Sequence, residues 1–262
     1  MIANVNGLAL YYDTLGAARA DAPPLVALHG GLGSAEMFGD NLARLAAHRQ
    51  VIAVDLQAHG RTADIDRPLS YEAMADDVAA LIEQLGLPAA DVLGYSMGGC
   101  VAAQVAIRHR ARVRKLVCAA SAFSRAGYHA DVRAGFDALG AHLAEMMKPS
   151  PVYQRYMQLS PKPDFAGLLG KLAALVQREF DWRDAIGALP PTLLVIADAD
   201  AIAPAHAVEV FAALGGGLRD AGWNGVPGRP ASQLAILPGH THYDLGASPA
   251  LVAAIEPFLE SK

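Results

Sequence analysis

Asp91-Val92-Leu93-Gly94-Tyr95-Ser96-Met97-Gly98-Gly99-Cys100-Val101-Ala102-Ala103 is the stretch whose reading decides the fold. Its first three residues form a short apolar run, and the residues after Ser96 are small and suit the start of a helix. Residues 94–98 therefore read G-x-S-x-G where a buried strand becomes a helix. A serine on such a tight turn presents its hydroxyl, and Gly94 and Gly98 on either side let strand and helix crowd together. The bare pattern occurs by chance in many proteins. With a strand before it and a helix after it, it predicts a nucleophile elbow.

Working outward, Leu25–Leu28 and Val51–Val54 are continuous apolar runs, ending at His29-Gly30-Gly31 and at Asp55. Runs without polar alternation predict strands buried on both faces, hence a parallel sheet covered by helices. Asn6-Gly7 before Leu8–Tyr12 predicts a hairpin. Further strands are expected at Lys115–Ala119, Thr192–Ile196 and Leu234–Leu237. Helical patterns cover 35–48, 70–85, 205–214 and Pro249–Leu259. In the second of these, Ser70 caps the helix and Gly86 ends it. Met74, Val78, Leu81, Ile82 and Leu85 form its apolar face. Alternating strand and helix predicts a doubly wound α/β domain. Residues 122–190 break the rhythm with helical pieces interrupted by Pro149, Pro151, Pro161 and Pro163. The expectation is a core domain made of 1–121 and 191–262, with a small helical lid at 122–190. A Gly/Pro-rich loop at 215–233, which includes Pro227, joins parts of one sheet and is no domain linker; its role stays open.

At 262 residues, 53% hydrophobic and 18% charged, the chain can bury a sizeable core. Cys100 and Cys118 fall in expected core elements and read as small buried hydrophobes, not as a disulfide pair. The N-terminal residues show no signal-peptide pattern, and a cytoplasmic location is expected. No apolar stretch approaches the roughly 20 residues that span a bilayer. The net charge of −5 argues against a nucleic-acid partner. The basic run Arg108–Lys115 is expected to be the solvated C-terminal end of the elbow helix. Metal and nucleotide motifs (H-E-x-x-H, C-x-x-C, G-x-x-x-x-G-K-[ST]) are absent from the sequence, so no metal or cofactor is expected. Oligomeric state is left open, a homo-oligomer included.

A serine hydroxyl needs a base to take its proton, and that base needs a carboxylate to hold it. Two carboxylates, Asp198 and Asp200, stand at the end of the strand near 192–197. Two histidines, His240 and His242, follow the last strand. Both groups lie at C-terminal strand ends, where open α/β sheets build their sites.

These residues together resemble the α/β-hydrolase superfamily over essentially the whole length, in its esterase and cofactor-free haloperoxidase-like branch. The resemblance rests on His29-Gly30-Gly31, Asp55 through Gly60-Arg61-Thr62, Gly94–Gly98, the segment from Asp200 to Pro204, and Gly239-His240-Thr241-His242. In that family the acid stands four residues before the proline, which implies Asp200. The histidine follows Pro-Gly-x-Gly/Thr, which implies His242. The resemblance implies an oxyanion hole from the backbone N–H groups of Met97 and Gly31, with Leu32 as the alternative second donor. It implies a structural role for His29 and an architectural one for Asp55–Thr62. The expected activity is cofactor-free hydrolysis of small or medium carboxylic esters or lactones through an acyl-enzyme on Ser96. Leu32, Met146, Met147, Tyr153 and Met157 are expected to contact substrate. Two other readings remain: the same triad cleaving C–C bonds or forming peracids, and a hydrolase-like binding protein without turnover. The related dehalogenases and epoxide hydrolases place aspartate where this chain has Ser96.

Overall fold

A computed structural model describes residues 1–223, 225 and 228–261. Pro227 of the Gly/Pro-rich loop lies outside the described residues. Eight strands form one sheet: β1 Ile2–Val5, β2 Leu8–Leu15, β3 Leu25–Leu28, β4 Val51–Asp55, β5 Ala90–Tyr95, β6 Val113–Ala119, β7 Thr192–Ala199 and β8 Gln233–Thr241, in the order β1-β2-β4-β3-β5-β6-β7-β8. β1 and β2 form the antiparallel hairpin, with Val5 opposite Leu8 across Asn6-Gly7, and β2 runs antiparallel to β4. All other pairings are parallel.

The apolar runs are explained by their burial: every residue of β3, β4 and β5 is buried. One apolar layer is built on α2 Tyr71–Gln84 and α3 Met97–Arg108. The opposite layer is built on α1 Asn41–Ala46 and α9 Pro249–Glu260. The Ser70 hydroxyl accepts the N–H of Ala73 and caps α2. The expected helix at 35–48 is split. A short 3-10 turn at Ala35–Phe38 ends at Gly39, whose positive φ of 51° ends it before α1 begins.

Between β6 and β7 the chain is helical: α4 Ala130–Ala138, α5 Ala144–Met147, α6 Pro151–Leu159 and α7 Phe165–Gln177. Both ends of this segment meet in a small stem. Ser124 bridges Asp181 in antiparallel fashion, Arg125 N–H donates to Phe180 O, and Trp182 N–H donates to Phe123 O. α8 Pro204–Ala213 holds the stem from below, because its buried His206 accepts the Phe123 N–H at 3.0 Å on Nε2. The basic run is consumed internally. Arg108 and His109 pair with Asp76, Arg112 with Glu83 and Arg114 with Asp91, while Lys115 holds the last carbonyls of α9. No helix among the described residues is long and apolar enough to cross a membrane.

Two fully buried histidines lie under the ends of β3 and β4. His29 accepts the Leu56 N–H on Nε2 and donates from Nδ1 to Gly30 O at 2.7 Å. His59 donates from Nδ1 to Gln57 O, and its Nε2 has no partner among the described residues. Burial pushes both pKa values down, His59 to about 3, from an ordinary 6.5. An unfolded chain therefore binds protons below pH 6.5 that the folded chain refuses. Stability from these groups is fully present above pH 6.5 and is lost as pH falls below it, for His59 down to about 3, by about 1.4 kcal/mol per pH unit for each proton. His59→Gln should flatten this slope between pH 6.5 and 4.5 in urea melts. An unchanged slope would show that His59 is not the group that titrates on unfolding.

Candidate active site

The site is assembled at the C-terminal ends of β3, β5, β7 and β8. Ser96 follows β5 directly and has φ 55° and ψ −121°. This conformation is rare for a non-glycine residue and is held by what surrounds it. A Cβ on Gly94 would meet the backbone of Gly98, and a Cβ on Gly98 would meet the carbonyls of Leu28 and His29. Glycine at these two positions lets α3 start hard against β3 and β5. Ser96 N–H donates to Ala119 O at 2.8 Å, and the Ser121 hydroxyl donates to Ser96 O at 3.0 Å, fixing the turn to β6.

His242 reaches Ser96 from just past β8. Its Nε2 lies 2.9 Å from Ser96 Oγ, and its Nδ1 lies 2.8 Å from Asp200 Oδ1. The Asp200 side chain is completely shielded from solvent. Its carboxylate also accepts the backbone N–H groups of Ala197 and Ile202, at 2.9 and 3.2 Å. Three donors hold this buried carboxylate in one orientation. It makes Nδ1 the protonated nitrogen of His242, which leaves Nε2 free to accept from Ser96. The Tyr95 hydroxyl donates to His242 O, and the two rings stack with centroids 6.0 Å apart. Burial, followed by the nearby Asp200 charge, pushes the Tyr95 pKa up to about 12, so this hydroxyl stays a donor.

Asp198 and His240 take other places. Asp198 lies inside β7, which runs to Ala199, and both its oxygens accept the Gly239 N–H at 3.0 Å. It thereby ties β7 to the strand that leads to His242. His240 was expected past the last strand, but β8 continues through Pro238 and Gly239 to Thr241 and includes it. Its Nε2 meets Ser248 Oγ at 3.1 Å, the residue that caps α9. The continued pairing of Ala199 with Thr241 carries the strand past the point where the apolar run ends.

The Met97 and Gly31 N–H groups donate to no protein acceptor among the described residues. Met97 is the first residue of α3, where helix N–H groups are free and the helix dipole favours negative charge. The loop carrying Gly31 is pinned twice. His29 accepts the Leu56 N–H, and the buried Asp55 carboxylate accepts the Ala35 N–H at 2.8 Å while also taking Arg61. Leu32, at φ 60°, continues the same loop.

Ser96 and His242 open onto a cavity of about 290 Å³. Gly31, Leu32, Met37 and Met97 line it from the core. Phe136 and Leu139 at the end of α4, and Leu172 and Val176 on α7, line it from the helical segment. Met146, Met147, Tyr153 and Met157 do not line it, contrary to the sequence expectation. Met146 is 70% exposed on the four-residue α5, and Met157 is 40% exposed. Tyr153 instead packs edge-on against Phe165, at 5.0 Å between centroids. Met147 is half-buried against the core side of the same segment. The physical reason is helix phase: α6 turns Tyr156 inward, which carries Met157 to the surface. Leu172 and Val176 stand four residues apart on an apolar helix, so the signal was periodicity, obscured by the absence of polar residues to mark a face.

A family profile for the alpha/beta hydrolase fold matches residues 23–158, just over half of the chain. The pimeloyl-[acyl-carrier protein] methyl ester esterase of Neisseria meningitidis serogroup C is 37% identical over 151 residues, 55% of this chain and 56% of that protein. The dihydrolipoyllysine-residue acetyltransferase component of the acetoin cleaving system of Pseudomonas putida is 31% identical over 219 residues, 78% of this chain and 58% of that protein. The match thus spans a little over half the length of each of these two relatives. Among solved structures, the enol-lactonase from Burkholderia xenovorans LB400 superposes with a TM-score of 0.76 at 22% identity, covering all of both chains.

The cavity lining makes a measurable distinction. With acyl esters of graded chain length, Leu172→Ala should shift the preferred length upward and change the ratio of kcat/KM between long and short esters by about tenfold or more, since each methylene is worth about 1–3 kcal/mol of discrimination. Met146→Ala should leave that ratio within about twofold. The opposite ranking would put the binding pocket on the α5 side of the segment.

Proposed function

The chain belongs to the α/β-hydrolase family, and we propose that it is a cofactor-free serine hydrolase that cleaves small or medium carboxylic esters or lactones. The observation that carries this is the unbroken chain from Asp200 through His242 to Ser96, with hydrogen bonds of 2.8 and 2.9 Å and the strained serine at its end. Support comes also from the Neisseria relatives, which are esterases by name. A largely apolar cavity of about 290 Å³ suits a short acyl group. A cytoplasmic setting belongs to the same proposal, in keeping with two buried, unpaired cysteines.

In this reading His242 Nε2 takes the proton of Ser96 as Oγ attacks the acyl carbonyl carbon. The carbonyl electron pair moves to oxygen, and the oxyanion accepts the N–H groups of Met97 and Gly31. Losing one such donor typically costs about 10²–10³ in rate. Collapse of the intermediate breaks the C–O bond, and the leaving alkoxide takes the proton from Nε2. A water then attacks the acyl-serine, with His242 again the base. The acid departs, and Ser96 regains its proton. Asp200 keeps its charge throughout, accepting from Nδ1–H and stabilising the transient imidazolium.

Ser96→Ala should lower ester turnover by about 10⁴-fold or more with little effect on folding. A fluorophosphonate should label the wild-type serine and not this variant. Turnover of Ser96→Ala within tenfold of wild type, on protein free of other esterases, would end the proposal.

The partners separate likewise. Asp200→Asn should cost about 10⁴ in kcat, and His242→Ala should inactivate. Asp198→Asn and His240→Ala should cost far less, acting only through the support of β8. The pH–rate profile of the wild type should rise as the imidazole loses its proton. A flat profile under chemistry-limited conditions would rule out a histidine base.

A further inference from the structure

The Ser96 cavity has a second polar feature that the reaction does not use. Tyr71, the first residue of α2, and Tyr128, just before α4, both line it and are 3% and 7% exposed. Their rings are fixed from the sides: Tyr71 stands edge-on to Phe180 and Trp182, and Tyr128 edge-on to Phe136. Their hydroxyls are less well provided for. Among the described residues, the only partner of the Tyr128 hydroxyl is the Cys100 thiol at 3.8 Å, and sulfur is a weak partner. The Tyr71 hydroxyl faces the same thiol and has no nitrogen or oxygen partner among the described residues. That thiol already points its hydrogen at Ala122 O, at 3.6 Å. Buried tyrosine hydroxyls ordinarily find a full hydrogen bond. Here two rigidly held phenols at one wall of a substrate-sized cavity share a single thiol as their partner.

We propose that Tyr71 and Tyr128 form a second recognition point, which selects acyl groups carrying an uncharged oxygen function, a ketone, hydroxyl or further ester carbonyl, a few atoms beyond the carbonyl that Ser96 attacks. The inference rests on the serine-hydrolase reading above and deepens it. The distance follows from the helix: Cys100, which both hydroxyls face, is one turn after Ser96 on α3, about 6 Å along its axis. The charge state follows from the lining. Among the described residues, no Lys, Arg, Asp or Glu side chain borders this cavity. A carboxylate at that depth would lose its water and meet no cation, whereas a neutral oxygen would accept from a phenol at little cost. Burial raises the pKa of both tyrosines well above the ordinary value, so both remain donors at neutral pH. Cys100 is not the reactive group, since burial lifts its thiol to about 11.

The test compares p-nitrophenyl pentanoate with its 3-oxo and 4-oxo derivatives and with p-nitrophenyl hemisuccinate. Wild type should favour at least one oxo ester over the parent by about tenfold or more in kcat/KM, and should disfavour the hemisuccinate, since sites built to hydrogen-bond an oxygen discriminate strongly against analogues that lack it. Tyr71→Phe and Tyr128→Phe should each lower the oxo-to-parent ratio, and the double variant should bring it close to one. Oxo and parent esters within twofold of each other in wild type would overturn the proposal. So would Phe variants that depress both esters in equal proportion, which is the behaviour of tyrosines that only pack. Turnover of the plain pentanoate tests the hydrolase reading separately. Should no ester be cleaved, binding of methyl 4-oxopentanoate against methyl pentanoate to the Ser96→Ala protein, by calorimetry, still decides the recognition step. Equal affinities there would refute it.

Discussion

The approach of α3 to the ends of β3 and β5 is the contact on which the rest of the site depends. Gly98 sits where any Cβ would run into the carbonyls of Leu28 and His29, and Gly94 where it would run into Gly98. With both as glycine, the helix starts against the sheet and Ser96 is forced to φ 55°. Such a backbone costs on the order of 1–3 kcal/mol, which the buried core on both sides of the sheet must offset. The same closeness brings the first N–H of α3 beside the loop that carries Gly31. One steric constraint thus sets the position of the hydroxyl and of the free N–H groups of Met97 and Gly31 beside it.

The groups around Ser96 are held by polar contacts between neighbouring strand ends. Asp55 and His29 tie the Gly31 loop to the end of β4. Asp198 ties Gly239 to β7, and the Tyr95 hydroxyl fixes the carbonyl of His242. Asp244 accepts the N–H and hydroxyl of Thr241 and closes the turn in which His242 sits. The Asp55, His29 and Tyr95 anchors are buried or half-buried, where a hydrogen bond is strong and its loss is costly, while those of Asp198 and Asp244 lie at the surface. The arrangement explains why so many polar side chains are carried in a layer that is otherwise apolar. Their cost appears on the acid side, where the two buried histidines draw protons to the unfolded chain.

The helical segment between β6 and β7 obeys different rules. It meets the core through a short stem at 123–125 and 180–182, and through the faces of α4 and α7 that cover the Ser96 cavity. Its outer helices α5 and α6 carry much of its Met and Tyr content without bordering that cavity. Composition alone pointed to the residues with adaptable side chains. Which of them meet a ligand depends on how each short helix is rotated about its axis.

Much of the fold was legible from local pattern. Continuous apolar runs of four or five residues mark strands buried on both faces, and the G-x-S-x-G segment between a strand and a helix marks the elbow, because both signals arise from steric and burial demands on neighbouring residues. Local pattern also narrowed the acid to Asp198 or Asp200 and the histidine to His240 or His242, and the family resemblance pointed to the second of each pair. What only the tertiary structure decided is which groups meet: Asp200 and His242 come to Ser96 across gaps of more than a hundred residues, while Asp198 and His240 turn to structural partners. It likewise put Leu172, Val176, Tyr71 and Tyr128 around the cavity in place of Met146 and Met157. A side chain two positions along a strand end, or one position along a short helix, faces a different neighbour. That choice is made by register and helix phase, which packing of the whole domain sets and no short stretch of sequence contains.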